Sequence, residues 1–193
     1  MKFLKWTNTE KGCLAILLSF LTSNFANAAF LVEPKYQIHN GQLKVAQTKT
    51  SYNAEGSALN LGYMGDYFLA GVSLEKSRFV FVDPFATQTG KIYDGGGVGT
   101  FIGFHLWDRI KIETTYLNST LEPNSNSDVR YFGQYFAFGI SLRLWRGLML
   151  NMQHYQNQFT QFEDDTTGKT QGLDSHIKTS GNIVGLSYFI AIK

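Results

Sequence analysis

The alternation of bulky apolar residues with small or polar ones is the sequence feature that most limits the fold of this chain. In the first run, Phe30, Val32 and Tyr36 fall on one face, whereas Glu33 and Lys35 fall on the other. A period of two residues is typical of β-strands and incompatible with an amphipathic helix. The same pattern recurs in eight runs, at residues 30–38, 57–64, 68–75, 97–106, 110–117, 132–144, 148–155 and 183–192.

The connections between these runs alternate between long and short. Three are tight turns near residues 65–66, 107–109 and 145–147. Four are long and polar, and they occupy residues 39–56, 76–95, 118–129 and 160–180. An even number of strands then places every tight turn, and both ends of the barrel segment, on one side. This layout predicts a closed, eight-stranded, antiparallel up-and-down transmembrane β-barrel, an all-β fold with periplasmic turns and four extracellular loops.

The content of the two strand faces distinguishes a membrane barrel from a soluble one. A soluble barrel has a charged, solvated exterior and large apolar groups inside. Here the polar face consists mostly of Gly, Ala, Ser and Asn, which suits a narrow interior, while the other face is bulky and apolar. A membrane also requires a closed sheet, because unpaired backbone groups are very costly in hydrocarbon. The pattern therefore favours a barrel that faces lipid.

The first 28 residues have the features of a cleaved signal peptide. Three lysines precede an apolar run at 12–21 that is too short for a stable transmembrane helix, and Ala26-Asn27-Ala28 offers small residues at a cleavage site. Cys13 lies inside the apolar run rather than at its end, which argues against a lipid anchor. We expect export across the inner membrane, cleavage after Ala28, and a barrel domain of residues 29–193 in a bacterial outer membrane.

The balance of charge and the residue types exclude several functions. Residues 29–193 carry equal numbers of acidic and basic residues, so there is no electrostatic footprint for nucleic acid. They contain no cysteine, so they offer neither a thiol nucleophile nor a thiolate metal site. We predict no metal site and no cofactor.

Charged residues on the inward face predict a network of salt bridges in the lumen. An eight-stranded barrel has an interior that side chains can fill, and a buried charge is tolerable only when it is paired. Three acids and three bases are available: Glu33, Glu75, Glu113, Lys35, Lys111 and Arg143. This network fills the barrel; ion conduction through it is the alternative.

Two tryptophans and one proline have positions that carry structural meaning. Trp107 and Trp145 both lie at tight turns, as expected for the aromatic girdle at the periplasmic interface. Pro34 cannot donate to a strand ladder, so we expect a β-bulge there or a position near the rim.

With its strands assigned, the chain resembles the superfamily of small outer-membrane β-barrels that includes OmpX, OmpW and the barrel domain of OmpA. The segment 30–36 (FLVEPKY) looks like the first strand of such proteins. The final strand looks like a recognition signal for the barrel-assembly machinery, with Gly185, Tyr188 and Ile190 in place, although the chain ends Ala191-Ile192-Lys193 rather than on an aromatic residue. The resemblance implies that outer-membrane lipid and lipopolysaccharide surround the barrel and are its partners.

Some small barrels modify lipid A, so we searched for their catalytic residues. A resemblance to the deacylase type would require a His-x-Ser pair. No serine lies two positions after any of the four histidines, which are His39, His105, His154 and His176. The palmitoyl-transferring type uses His, Asp and Ser on extracellular loops, which Asp174-Ser175-His176 could supply, but the amphipathic helix of that type is missing. We therefore predict no catalytic residues.

Three functions follow from the sequence. The first is a non-enzymatic barrel with a structural or surface-interaction role, which presents its four loops to an unknown extracellular ligand. The alternative is a narrow channel or small-solute transporter. A lipid-A-modifying enzyme is the second alternative.

Overall fold

The computed structural model describes residues 28–82, 92–106, 109–123, 129–164 and 167–192, nearly all of them in antiparallel strands. The predicted signal peptide therefore lies outside the described residues, apart from Ala28. The strands are β1 (Ala29–Val45), β2 (Thr48–Met64), β3 (Phe68–Val82), β4 (Ile92–Leu106), β5 (Ile110–Pro123), β6 (Val129–Trp145), β7 (Leu148–Asp164), β8 (Lys169–Tyr188) and β9 (Ile190–Ile192). Among the described residues, no helix is long and apolar enough to cross a membrane.

Sequential pairing closes the sheet into a ring of eight strands, as predicted. Each strand pairs with the next in the chain, and β1 pairs with β2 on one side and with β8 on the other. The short β9 continues the line of β8 and pairs with the start of β1. In the described part of the chain, each of the eight long strands therefore has a paired neighbour on both sides, which is the condition for a sheet in hydrocarbon.

The strands extend far into the segments that the sequence predicted as long loops. β1 and β2 pair continuously up to Val45↔Thr48, so a two-residue turn replaces the predicted loop 39–56. The β7–β8 hairpin likewise pairs out to Asp164↔Lys169. The loop prediction was wrong here because both faces of these strand ends are solvated and carry polar residues. The alternation of apolar residues therefore ends before the hydrogen-bonded pairing of the strands does.

The outward face carries a continuous apolar belt. Phe138 is 54% exposed, Ile102 51% and Val184 51%, and comparable residues occur on every long strand. A contiguous apolar surface of this kind marks contact with a membrane or a partner rather than with water. Beyond the belt, toward the long hairpins, the first polar outward residues include Asn40, Asn182 and His154. These three lie side by side across β1, β8 and β7.

Pro34 lies outward in a ladder that shows no bulge. The register between β1 and β2 is unbroken through Pro34↔Leu59. On its other side the ladder is interrupted between Lys35↔Ser187 and Val32↔Ile190, which is the break between β8 and β9. Proline has no N–H to donate, so the missing pairing falls opposite Pro34 without a shift in register.

Candidate functional site

Four charged side chains from opposite walls of the barrel meet in the lumen, and we call them the ionic layer. Glu33 and Lys35 lie on β1, whereas Lys111 and Glu113 lie on β5. The Lys111 Nζ atom lies 2.5 Å from Glu33 Oε1 and 3.0 Å from Glu113 Oε2. Lys35 contacts Glu113 and lies 3.6 Å from Glu33. Two cations and two anions thus form a closed square that links β1 to β5 across the barrel.

Neutral polar groups also donate hydrogen bonds to the two carboxylates. The Asn60 amide nitrogen donates to Glu33 Oε2 at 3.2 Å and to Glu113 Oε2 at 3.1 Å. The Ser187 hydroxyl donates to Glu33 Oε1 at 2.8 Å and lies 3.4 Å from the Asn151 side-chain oxygen. These partners were not predicted from the sequence because Asn and Ser are ordinary lumen residues. The strand register would have revealed one of them, since Asn60 lies directly opposite Glu33.

The other two residues of the predicted network lie outside this square. Glu75 faces inward on β3, and its Oε1 accepts a hydrogen bond from the Ser77 hydroxyl at 3.3 Å. Arg143 is exposed near the turn that ends β6, and no ion pair joins it to another described residue. The prediction placed Arg143 inside from its alternation, but the β6–β7 register shifts between Arg143 and Trp145. Arg143 itself still pairs in register with the buried Met149, but this is the last regular pair before the shift. Its side chain therefore lies at the tight-turn end of the barrel and is exposed, and Ser141 is the last buried inward residue of β6.

Above the ionic layer, toward the long hairpins, the lumen is filled by an aromatic layer. Its members are contributed by β1, β2, β3, β6 and β7, and they are His39, Tyr52, Phe79, Tyr135, Tyr155 and Phe159. The hydroxyl groups of Tyr52 and Tyr155 are hydrogen-bonded, and the rings of Tyr135 and Tyr155 stack with centroids 5.7 Å apart. Gly95 lies against the ring of Phe79, where an added Cβ would collide with it. Small inward glycines thus make room for large rings.

Below the ionic layer, toward the tight turns, a second apolar cluster closes the barrel. It consists of Leu31, Leu69, Phe101, Met149 and Phe189, none more than 8% exposed. Within the aromatic layer there is a cavity of about 20 Å³, lined in part by His39, Glu75 and Ser77. This space is far too small for a solute. Side chains thus fill the described lumen at the levels of the aromatic layer, the ionic layer and the lower apolar cluster.

The remaining predicted positions that the structure describes lie toward the tight-turn end of the barrel wall. Trp107 lies outside the described residues. Trp145 is 66% exposed at the tight-turn end of β6, and the Arg146 guanidinium lies 5.4 Å from its ring centroid. In the closing strand Gly185 is buried, whereas Tyr188 and Ile190 face outward. The girdle and the assembly signal remain predictions that these positions permit.

The four histidines are distributed between the lumen and the outer wall of the barrel. His39 and His105 are buried in the lumen, while His154 and His176 are exposed on the outer wall. His154 contacts Asn182 at 3.1 Å, and His176 contacts Gln158 at 2.7 Å. Within the described part of the chain, no group of three or more His, Cys, Asp or Glu residues is arranged to hold a metal ion.

Comparisons with known proteins give matches in structure only. No family model and no curated protein matches the sequence. Neisserial surface protein A (NspA) superposes with a TM-score of 0.57 and 11% identity, over 84% of this chain and 98% of that chain. Ail, the attachment invasion locus protein of Yersinia pestis, superposes with a TM-score of 0.55 and 10% identity, over 84% of this chain and 99% of that chain. A second structure of Ail contains the heparin analogue sucrose octasulfate.

Both similar structures are small eight-stranded outer-membrane β-barrels. The predicted fold and the predicted resemblance are therefore confirmed: the chain has the fold of the small outer-membrane barrels. In that fold the tight turns face the periplasm and the long hairpins face the exterior.

Proposed function

We propose that this chain is a non-enzymatic outer-membrane barrel that acts at the cell surface through its four extracellular hairpins. The observation that carries the proposal is the length of the strands. β1, β2, β6 and β7 each have 17 residues, whereas about 9–11 tilted residues suffice to cross a bilayer. The excess lies on the side of the long connections, so the sheet projects beyond the membrane.

Binding of surface-displayed protein tests this role. Cells that express the chain should bind a host-cell surface or immobilised heparin more strongly than cells without it; heparin is a first probe because one similar structure contains a heparin analogue. In a matched variant, residues 161–164 and 169–172 are deleted together, which removes four register pairs and retains the turn. Loss of binding by this variant supports the proposal. Equal binding by cells with and without the full-length barrel contradicts it.

The packed lumen argues against the alternative of a narrow channel. A conducting path would have to break the contacts of Lys35 and Lys111 with the carboxylates on the opposite strand. We expect the purified barrel in a planar bilayer to show no discrete single-channel openings. Reproducible openings that disappear in a Lys111→Met variant would favour the channel instead.

Export by a cleaved signal peptide belongs to the same proposal. The segment 1–28 has the basic start, the apolar run and the small residues that a signal peptidase requires. N-terminal sequencing of the protein from an outer-membrane fraction should begin at Ala29. We also expect insertion to depend on the barrel-assembly machinery, with Gly185, Tyr188 and Ile190 as its recognition signal.

A further inference from the structure

Three lysines stand next to one another on the outer wall of the barrel, above the apolar belt. Lys44 on β1 lies directly opposite Lys49 on β2 and directly opposite Lys178 on β8. All three are exposed, and within the described chain none has a carboxylate at ion-pair distance. Like charges directly opposite each other on neighbouring strands destabilise a sheet. An anion bound between these lysines would relieve the repulsion.

These lysines lie at the rim of a groove on the outer wall, which we call the cationic groove. The groove has a volume of about 610 Å³ and crosses β5, β6, β7, β8, β1 and β2. Amide side chains line its middle, among them Gln156 on β7 and Gln134 on β6. Irregularities in the β6–β7 and β7–β8 ladders, at Phe132/Gly133 and Phe159/Gln161, occur at the same level of the wall.

At the opposite edge, the groove joins the apolar belt through two aromatic residues. Tyr116 on β5 and Phe136 on β6 line it and are 42% and 49% exposed. The lining thus changes in order from aromatic rings to amides to ammonium groups. This order matches a lipid that has acyl chains, a saccharide and an anionic group.

The backbone of the lysines lies just above the headgroup layer of a membrane, and their side chains can reach into it. Lys44 lies four residues beyond Asn40, the first polar outward residue of β1. Four residues span about 13 Å along a strand, or about 9 Å along the membrane normal at a tilt of 45°. The headgroup region of one leaflet is roughly 5–8 Å thick. Lysine side chains are long enough to reach back into that layer.

A second polar patch on the same wall shows that this excess of positive charge is specific to the cationic groove. On β2–β4, a smaller groove is lined by two acids and two bases, Glu55, Asp94, Lys76 and Arg78. There Arg78 pairs with Asp94 at 3.2 Å, and the Tyr36 hydroxyl donates to Glu55 at 3.3 Å. Beside the cationic groove, one carboxylate, Asp174, shares an adjoining depression with Lys44 and Lys178. One side of the barrel is therefore charge-balanced, and the other carries net positive charge.

We propose that the cationic groove binds the phosphorylated saccharide headgroup of lipid A, the lipid anchor of lipopolysaccharide, in the outer leaflet. Lys44, Lys49 and Lys178 contact the phosphate, the glutamine amides contact the sugar, and Tyr116 and Phe136 contact the acyl chains. The proposal rests on the outer-membrane placement of the barrel and is independent of what the hairpins bind.

Binding of lipid A to the full barrel in lipid nanodiscs tests the proposal. Diphosphorylated lipid A should bind, and dephosphorylated lipid A should bind much more weakly. The double variant Lys44→Gln/Lys178→Gln should lose about 25-fold in affinity, because each lysine near an anionic lipid surface contributes a factor of about 5. The double variant Lys76→Gln/Arg78→Gln removes the same charge from the balanced patch and should bind as the parent does.

Three results would overturn the proposal. One is equal loss in both double variants, which would indicate a non-specific charge effect. Another is equal binding of the phosphorylated and dephosphorylated lipid. The third is binding of a heparin oligosaccharide, but not of lipid A, that depends on Lys44 and Lys178. A barrel that fails to insert into lipid at all would contradict the proposed function rather than this site, so shifted electrophoretic mobility of the unheated protein is recorded for every variant.

Discussion

The ionic layer and the aromatic layer fill the same lumen by opposite means. The ionic layer has four charged groups on only two strands, and every charge is less than 5% exposed. The aromatic layer draws its rings from five strands, and the hydroxyls of Tyr52 and Tyr155 are hydrogen-bonded to each other within it. The first depends on pairing, and the second depends on volume. The two layers should therefore respond differently to substitution.

Desolvation is the physical reason for this difference. A charge removed from water is stabilised only if its partners remain, so loss of one partner leaves a buried charge uncompensated. An aromatic ring loses packing contacts in proportion to the volume removed, and neighbours can partly relax. The ionic layer should thus be sensitive to the identity of each residue, and the aromatic layer should tolerate exchanges that conserve volume.

The largest expected effect is that of Lys111→Met. Lys111 contacts both Glu33 and Glu113, so its loss leaves two carboxylates with Lys35 alone. We expect the free energy of unfolding to fall by about 3–5 kcal/mol, measured by urea titration of the barrel in detergent micelles.

The double variant Lys111→Met/Glu113→Gln is the control for that substitution. It removes one cation and one anion together, so Glu33 and Lys35 remain as a neutral pair, and most of the lost stability should return. A single variant as stable as the parent, or a double variant less stable than the single one, would contradict the square of mutual contacts.

A smaller effect is expected for Phe159→Leu in the aromatic layer. Phe159 is 2% exposed and belongs to the apolar cluster of that layer. An exchange between apolar side chains of similar volume costs less than about 1.5 kcal/mol, so unfolding in the same urea titration should shift only slightly. A loss as large as that of Lys111→Met would mean that the aromatic layer is as specific as the ionic one.

The sequence predicted the strands within the apolar belt well and their ends poorly. Within the belt, lipid on one side and a narrow lumen on the other force a strict alternation, so residues such as Ile140 and Ser141 can be assigned to a face at once. Beyond the belt both faces meet water, so polar residues such as Gln156 and Gln158 do not indicate which face of the strand they lie on. The predicted seventh run therefore ends at residue 155, whereas the strand continues to Asp164.

The sequence predicted that charged side chains pair in the lumen, but it did not predict which of them contact one another. Alternation identified Glu33, Lys35, Lys111 and Glu113 as inward charges, but it could not say which of them reach each other. That depends on register, tilt and on β1 and β5 being opposite walls of an eight-stranded ring. The same limit explains why Lys44 and Lys178 were assigned to separate loops although they are paired neighbours.

Glu75→Gln should have a smaller effect than either substitution above. Glu75 faces the lumen, but its hydrogen-bond partner is the neutral hydroxyl of Ser77, which a glutamine oxygen can also accept. The ionic square contains no contact that this change removes. We expect the free energy of unfolding to change by less than about 1 kcal/mol. A loss comparable with that of Lys111→Met would place Glu75 inside the ionic layer.

Arg143→Gln provides the lower limit of the comparison. Arg143 is positively charged, as Lys35 is. It is exposed, however, because it lies beyond Ser141, the last buried inward residue of β6. Substitutions at exposed positions away from special features change stability within about 0.5 kcal/mol. If Arg143→Gln instead lost as much stability as Lys111→Met, a lumen carboxylate would depend on Arg143. The ionic layer would then extend to the tight-turn end of the barrel. No other contribution of an exposed guanidinium to the free energy of unfolding is large enough to match the loss of a buried cation.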